Sequence, residues 1–284
     1  MRHHITAGID GSPESLCAAD WAAREALRRG LPLHLVHAFD EPSPRSHLPE
    51  IEVPLHSERG ALDRFALQLS YAHPVLEVVK EQAGQPPVAA LLAAARTADT
   101  LVVGSRGFSG LAGILVGSVA LAVAARAACP VVLVRAGERP EDERPHLAAE
   151  PSPYRPVVLG IDLARPCDGL LEYAFGAAAT RRTALHVLHA WAVPLVPSAN
   201  ATDPAEGKEH RLAAVLASWQ HKFPDTQVTG ELVRGLAGRQ LLKAATGASL
   251  LVVGRRTSAG PHLGSTAHSV IHHVTCPVAV VPHD

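Results

Sequence analysis

The sequence predicts an α/β protein made of two tandem doubly wound domains, each a five-stranded parallel sheet with helices on both faces. Three observations carry this. Short continuous Val/Leu/Ile runs alternate with helix-length segments, as in strands buried on both sides. The alternation occurs twice along 284 residues, and a chain of that length suits about two domains. Glycine and polar residues gather just after the apolar runs, where open parallel sheets bind ligands.

In the first copy the elements read as strand 4–9, helix 13–29, strand 32–39, helix 56–72, strand 75–80, helix 86–98, strand 100–104, helix 118–128 and strand 130–135. The first helix carries its own punctuation: Ser12 at the N-cap, Pro13 at the first helical position and Gly30 just past the end. Alternating strands and helices of this kind build a doubly wound sheet. The first strand leaves through Gly8-Ile9-Asp10-Gly11-Ser12, the second ends at Ala38, and the fourth leaves through Gly104-Ser105-Arg106-Gly107.

The second copy is found by direct superposition. Ile5-Thr-Ala-Gly-Ile-Asp10 aligns with Val157-Val-Leu-Gly-Ile-Asp162, and Leu33-His-Leu-Val-His-Ala-Phe39 with Leu185-His-Val-Leu-His-Ala-Trp191, both 152 positions on. The offset falls to 150 at Gly104/Gly254 and to 147 at the closing Cys-Pro-Val runs that begin at Cys129 and Cys276. The second copy has therefore lost residues before and around its glycine loop. Between the copies, Gly137 to Pro153 is rich in Pro, Glu and Arg without apolar periodicity, as in a solvated linker. The expected domains are 1–137 and 154–284, with 138–153 as linker.

Composition narrows the function classes. Hydrophobic residues make up 47% and charged residues 19%, with a net charge of −1, so no global field favours nucleic acid or anionic lipid. Cys17, Cys129, Cys167 and Cys276 are too scattered for a metal site or a disulfide framework and read as buried thiols. The N-terminal residues lack a secretory pattern, which makes the cytoplasm the expected location. The apolar stretch Leu111 to Ala125 is shorter than a membrane span, needs no membrane, and is broken by Gly113 and Gly117.

The segment from Gly104 to Gly117-Ser118 has the makings of a phosphate cradle. Glycines at a strand exit let a ligand approach the main chain, free N–H groups at the following helix start attract anions, and Ser118 stands where an N-cap hydroxyl would sit. Seventeen histidines raise the question of a metal, but His34/His37 and His186/His189 are three apart on strands and point to opposite faces. His268 and His272 share a helix face without a third ligand nearby in sequence. Neither a Walker loop nor a complete nucleophile elbow is present, since Gly107-Phe-Ser109-Gly110 is one residue short. No general base is evident.

Gly-Ile-Asp-Gly-Ser on the first strand, Val-Val-Gly-Ser-Arg-Gly on the fourth, the Gly-x2-Gly-x9-Gly-Ser spacing and the final Cys-Pro-Val-Val-Leu-Val together resemble the universal stress protein family in its tandem form. The resemblance implies Rossmann-like domains and ATP, or ADP or AMP, bound by the first copy. Ile9, Asp10, Gly11 and Ser12 would then lie along ribose and phosphate, with Asp10 accepting from a sugar hydroxyl or holding a magnesium water. Ala38 would set its main chain beside adenine, and Gly104, Arg106, Gly107, Gly117, Ser118 and Val119 would wrap the ribose and phosphates.

In the second copy Asp162 persists, but Leu163 and Ala164 replace Gly11 and Ser12, and Thr257 stands in place of Gly107. Asp162, Ala190, Gly254, Gly264, Ser265 and Thr266, assisted by Arg255 and Arg256, would form a weaker second site or none. The family likeness further implies that the terminal strands, Val131 to Val134 and Val278 to Val281, pair with each other within the chain or across a homodimer, the two domains being related by a pseudo-twofold. The expected role is a nucleotide-dependent stress sensor. A scaffold with vestigial loops and a slow ATPase are the alternatives.

Overall fold

The computed structural model describes residues 4–38, 55–105, 116–145, 154–191 and 206–284. The chain divides into two compact units, Met1–Glu138 and Arg139–Asp284.

In the first unit, β1 (Ile5–Ile9), α1 (Pro13–Arg29), β2 (Leu33–Ala38), α2 (Leu55–Ala72), β3 (Val78–Ala83), α3 (Pro87–Ala94), β4 (Thr100–Gly104), α4 (Ser118–Arg126) and β5 (Val131–Val134) follow in order. All strand pairs are parallel, in the order β3-β2-β1-β4-β5. The chain winds outward in both directions from the β1/β4 boundary, which makes that boundary the switch point where such sheets bind ligands. Helices α1 and α2 pack together, as do α3 and α4, which gives one helical layer on each face. Ile5, Leu33, Leu35, Leu101 and the indole of Trp21 are fully buried between them.

Helix α1 starts as its sequence dictates. Ser12 is the N-cap and accepts from the Ser15 N–H, Pro13 is the first helical residue, and Gly30 closes the helix in the left-handed region at φ 63°. Its buried face is mostly alanine, but it also carries Glu25, fully buried, which pairs with Arg28 at 3.0 Å and Arg29 at 2.6 Å. Arg29 reaches on to Asp99 at the start of β4.

Two elements of this unit depart clearly from expectation: α3 ends at Ala94, not 98, and a strand is shifted. The third strand lies at Val78–Ala83, not 75–80. Val75 and Leu76 belong to the turn before it, Val75 exposed and Leu76 tucked in. The strand itself, at the sheet edge, is mostly exposed and polar through Lys80, Glu81 and Gln82, as edge strands that resist aggregation are.

The second unit repeats the plan with β6 (Val157–Gly160), α5 (Asp168–Arg181), β7 (Leu185–Trp191), α6 (Glu206–Lys222), β8 (Val228–Arg234), α7 (Ala237–Ala244), β9 (Leu250–Arg256), α8 (Ser265–His273) and β10 (Val278–His283). Its parallel strand order is β8-β7-β6-β9-β10. Helices α5 and α6 pack together, as do α7 and α8, and the half-buried rings of Trp219 and Phe223 stack on the buried Phe175. Part of the segment expected to be solvated is folded: Pro140–Glu143 forms a short 3-10 helix, Glu143 is buried, and its carbonyl accepts from the Arg155 N–H.

Two differences set this unit apart. Gly11 adopts φ 81°, a conformation unfavourable for its counterpart Leu163. Leu163 does not adopt it, and the Ser12 hydroxyl has no equivalent on Ala164. Helix α5 accordingly begins at Asp168, three residues later than α1 once the repeat is aligned, with Cys167 as an N-cap that makes no side-chain cap bond. Conversely, β9 and β10 run on past the glycine, pairing Arg255 with Pro282 and Arg256 with His283. In the first unit the corresponding pairing stops at Gly104 with Val134.

Candidate functional site

The first unit contains a cavity of about 270 Å³ at the carboxyl ends of β1 and β4. Ile9, Val36, Ala38, Leu91 and Val103 form its apolar side, and Asp10, Ser15, Gly117 and Ser118 stand on the polar side. Gly8 and Gly104 lie at the strand ends between them. A Cβ on Gly8 would fall 2.9 Å from a Leu91 methyl; one on Gly104 would fall 2.8 to 2.9 Å from Glu14 and the Ser15 nitrogen at the start of α1. Only glycine lets the helix approach β4 this closely.

Asp10 is exposed at the cavity, and its Oδ1 accepts from the Ser12 N–H at 2.9 Å and from the Ser12 hydroxyl at 2.5 Å. That turn holds the carboxylate in place through Oδ1. Ser12 itself is buried, its hydroxyl shared between Asp10 and the cap of α1, and neither it nor Gly11 lines the cavity. Both shape the loop and do not reach into the site.

The N-cap of α4 is Gly117; Ser118, expected as the cap, is the first helical residue. The Gly117 carbonyl already accepts from the Leu121 N–H at 3.0 Å, and the Gly117 N–H donates to the Ser105 carbonyl. Ser118, Val119 and Ala120 therefore present the open first turn of a helix to the cavity, a surface that favours anions. Arg106 and Gly107 lie outside the described residues.

Sequence reasoning missed His37. It is buried, and its Nδ1 lies 2.8 Å from the Ile9 carbonyl, so the ring donates there and fixes the end of β1 beneath Asp10. His189 repeats the contact with Ile161 at 3.0 Å. The signal was present in the repeat: a histidine retained at the same offset as the strand motifs. His34 instead stacks on His4, the ring centroids 3.8 Å apart. His268 and His272 lie 4.6 Å apart, and no cluster of three or more metal-ligating side chains exists among the described residues.

The second unit has a cavity in the same place, of about 480 Å³. Ile161, Ala190, Leu241 and Val253 stand where Ile9, Ala38, Leu91 and Val103 stand in the first, and Asp162, Gly254, Gly264, Ser265 and Thr266 complete the correspondence. The Asp162 Oδ1 accepts from the Ala164 N–H at 3.1 Å, the contact that Asp10 makes with the Ser12 N–H, here without the left-handed residue between. Arg256 lines this cavity, whereas Arg255 is buried and does not. None of the four cysteines is in a disulfide; Cys129 and Cys167 are buried, Cys17 and Cys276 partly so. No helix among the described residues is long and apolar enough to cross a membrane.

Comparison with known proteins agrees with this architecture. The profile of the Universal stress protein family matches residues 1–135 and again 153–282. A universal stress protein of Mycobacterium bovis is 31% identical over 294 residues, covering 98% of this chain and 97% of its own length. One from Mycobacterium tuberculosis is 33% identical over 293 residues, covering 97% and 95%. Among solved structures, a universal stress protein from Archaeoglobus fulgidus superimposes with a TM-score of 0.71 at 19% identity, covering 99% of this chain and 96% of that one. With two family matches in succession and relatives of this similarity along nearly the full length, the chain belongs to the universal stress protein family in its tandem, two-domain form.

Proposed function

We propose that the first unit binds an adenine nucleotide and that the protein acts as a nucleotide-dependent sensor or regulator in a stress response. One observation carries the reading: an apolar slot, a fixed carboxylate and an open helix N-terminus converge on a single cavity at the switch point of the sheet. The slot between Ala38, Leu91 and Val103 suits a planar base, Asp10 suits a ribose hydroxyl, and the turn at Gly117-Ser118 suits phosphate. Family membership supports the same assignment.

ATP, ADP and AMP share these contacts. If magnesium accompanies the nucleotide, Asp10 is the carboxylate among the described lining residues to hold one of its waters. Asp10 is also the only ionisable side chain among its described lining residues, and it already accepts two hydrogen bonds from Ser12. That is a poor setting for a general base, so ligand occupancy serves better as a signal than as a step of catalysis.

Isothermal titration of the purified chain tests the proposal. Adenine nucleotide should bind, and Gly117→Glu, which sets a carboxylate at the helix N-terminus, should remove one binding equivalent with the fold retained by circular dichroism. A chain that binds no adenine nucleotide, and carries none through purification, refutes the reading and leaves a scaffold role.

A further inference from the structure

The second unit has a further cavity, of about 680 Å³, at the amino ends of its strands and so at the opposite end of the sheet from the candidate nucleotide sites. The last turn of α5, the residues leading into β7, the turn before β8 and Tyr154 just ahead of β6 line it. It lies where the repeat has lost bulk: Leu27, Leu31 and Leu76 of the first copy are replaced by Ala179, Thr183 and Thr226. At the same place Gly30 has given way to Arg182 and Val75 to Asp225, so the cavity wall carries one cation and one anion.

Arg182 holds its position at a cost. Its φ of 50° lies in the left-handed region, where the first copy keeps glycine. A side chain is disfavoured in that conformation, and such residues cluster where a side chain holds a ligand. The return is not a contact within the protein. The Arg182 N–H closes α5 by donating to the Ala179 carbonyl at 3.0 Å, which glycine would do equally well. Its guanidinium is exposed and bonds no other described residue. Asp225 is likewise exposed and pairs with no described residue, so the two opposite charges share a cavity without forming an ion pair with each other.

The other polar groups of the wall are already committed. The Thr183 hydroxyl donates to the Tyr154 carbonyl at 2.6 Å. The N–H groups of Thr183 and Thr226 go to the carbonyls of Ala178 and Phe223. What remains is apolar: Ala178, Ala179, Ala184 and the half-buried ring of Tyr154. The Arg144 guanidinium, which does not line the cavity, stands 5.1 Å over that ring and steadies it. The carbonyl end of α5 adds partial negative charge beside that of Asp225, a setting that favours an ammonium group.

We propose that this cavity binds a free amino acid with an apolar side chain. Arg182 takes the α-carboxylate, Asp225 takes the α-ammonium, and the side chain lies among the alanines and the Tyr154 ring. A guanidinium grips a carboxylate through paired N–H donors, and a zwitterion answers both wall charges at once, as a simple anion or cation does not. The site is independent of nucleotide binding at the other end of the sheet.

Titration calorimetry of the full chain with L-phenylalanine and L-leucine tests the proposal. At least one of them should bind with one equivalent per chain. Hydrocinnamate and phenethylamine, which lack the ammonium and the carboxylate in turn, should each bind about tenfold more weakly than L-phenylalanine or worse. Arg182→Gly installs the residue of the first copy and should weaken the amino acid about tenfold while the unit becomes more stable, a separation that a purely structural role for Arg182 would not give. Asp225→Asn should weaken L-phenylalanine and leave hydrocinnamate unchanged. Ala179→Leu, at a half-buried position, restores the bulk of the first copy and should remove binding. No saturation by either amino acid up to about 10 mM, analogues that bind as well as L-phenylalanine, or unchanged affinity in Arg182→Gly overturns the proposal.

Discussion

Helix α1 ends at Gly30 with φ 63° and ψ 36°, and helix α5 ends 152 positions later at Arg182 with φ 50° and ψ 46°. The two C-caps make the same bonds, each N–H reaching back to a pair of carbonyls in the last turn. Arg182 is the only non-glycine among the described residues at positive φ. A side chain in this conformation costs about 1–2 kcal/mol, while glycine there gives up about 0.4–1 kcal/mol more entropy from the unfolded chain. Arg182→Gly should therefore stabilise the second unit by about 0.5–1 kcal/mol by the difference of these terms. Gly30→Arg should destabilise the first by a similar amount, since a Cβ there meets nothing within 4 Å and the cost is conformational alone. Urea denaturation followed by tryptophan emission reads both, Trp21 reporting on the first unit and Trp191 and Trp219 on the second. At a slope of about 1–3 kcal/mol per molar urea, the midpoints should move by a few tenths molar in opposite directions. Shifts of the same sign, or a loss of stability in Arg182→Gly, would refute the reasoning.

Gly104→Ala should cost about 1–3 kcal/mol and weaken nucleotide binding, because its Cβ meets the backbone of α1; Gly254→Ala, facing the side chain of His283, should cost less, and calorimetric melting of both variants decides. Glu25→Gln leaves Arg28 and Arg29 without their buried carboxylate and should cost about 3–5 kcal/mol, read by chemical denaturation. Burial, then the carboxylates of Asp168 and Asp162, push the Cys167 thiol up to about 11 from 9.0. Iodoacetamide at pH 8 should therefore modify Cys167 slowly in the folded chain and quickly in denaturant, as peptide mass spectrometry would show. Because the folded state holds this proton more tightly than the unfolded chain, stability should fall as pH rises from about 9 to about 11.

Where the chain carries explicit punctuation, the fold is legible from sequence. Ser12, Pro13 and Gly30 bound α1 at the predicted residues, and the apolar run ending at Gly104 bounds β4. Legibility fails where burial is one-sided. Val75 and Leu76 are apolar but lie in a turn, while the edge strand is spelled by Lys80, Glu81 and Gln82, so hydrophobicity points three residues too early. In the site, residue types revealed the cavity but not the direction each side chain takes. Ser12 reads equally well as a ligand contact or a cap, and only the structure shows its hydroxyl buried and capping α1. His37 looks like a metal candidate, yet its partner is a carbonyl 28 positions away, a contact that only folding brings together. His283 at the second cavity is of the same kind: its meaning depends on strands β9 and β10 running on past Gly254.

The divergence between the copies follows from two adjacent substitutions. Replacing the Gly11 equivalent by Leu163 removes the left-handed turn, and replacing the Ser12 equivalent by Ala164 removes the cap. Either change weakens the first turn of the helix by about 1 kcal/mol; together they account for α5 starting at Asp168. Once that turn is gone, the space over Gly254 needs filling, since an empty pocket there would forfeit packing against Leu170. The His283 ring fills it, and the strand extension that carries the ring also ties down the main chain of the loop. None of these steps touches the apolar end of the cavity, whose four apolar positions and His189 support are unchanged in kind. Divergence is thus confined to the corner above the β9 glycine, while the four apolar positions and the start of α8 at Gly264-Ser265 keep their places on the cavity.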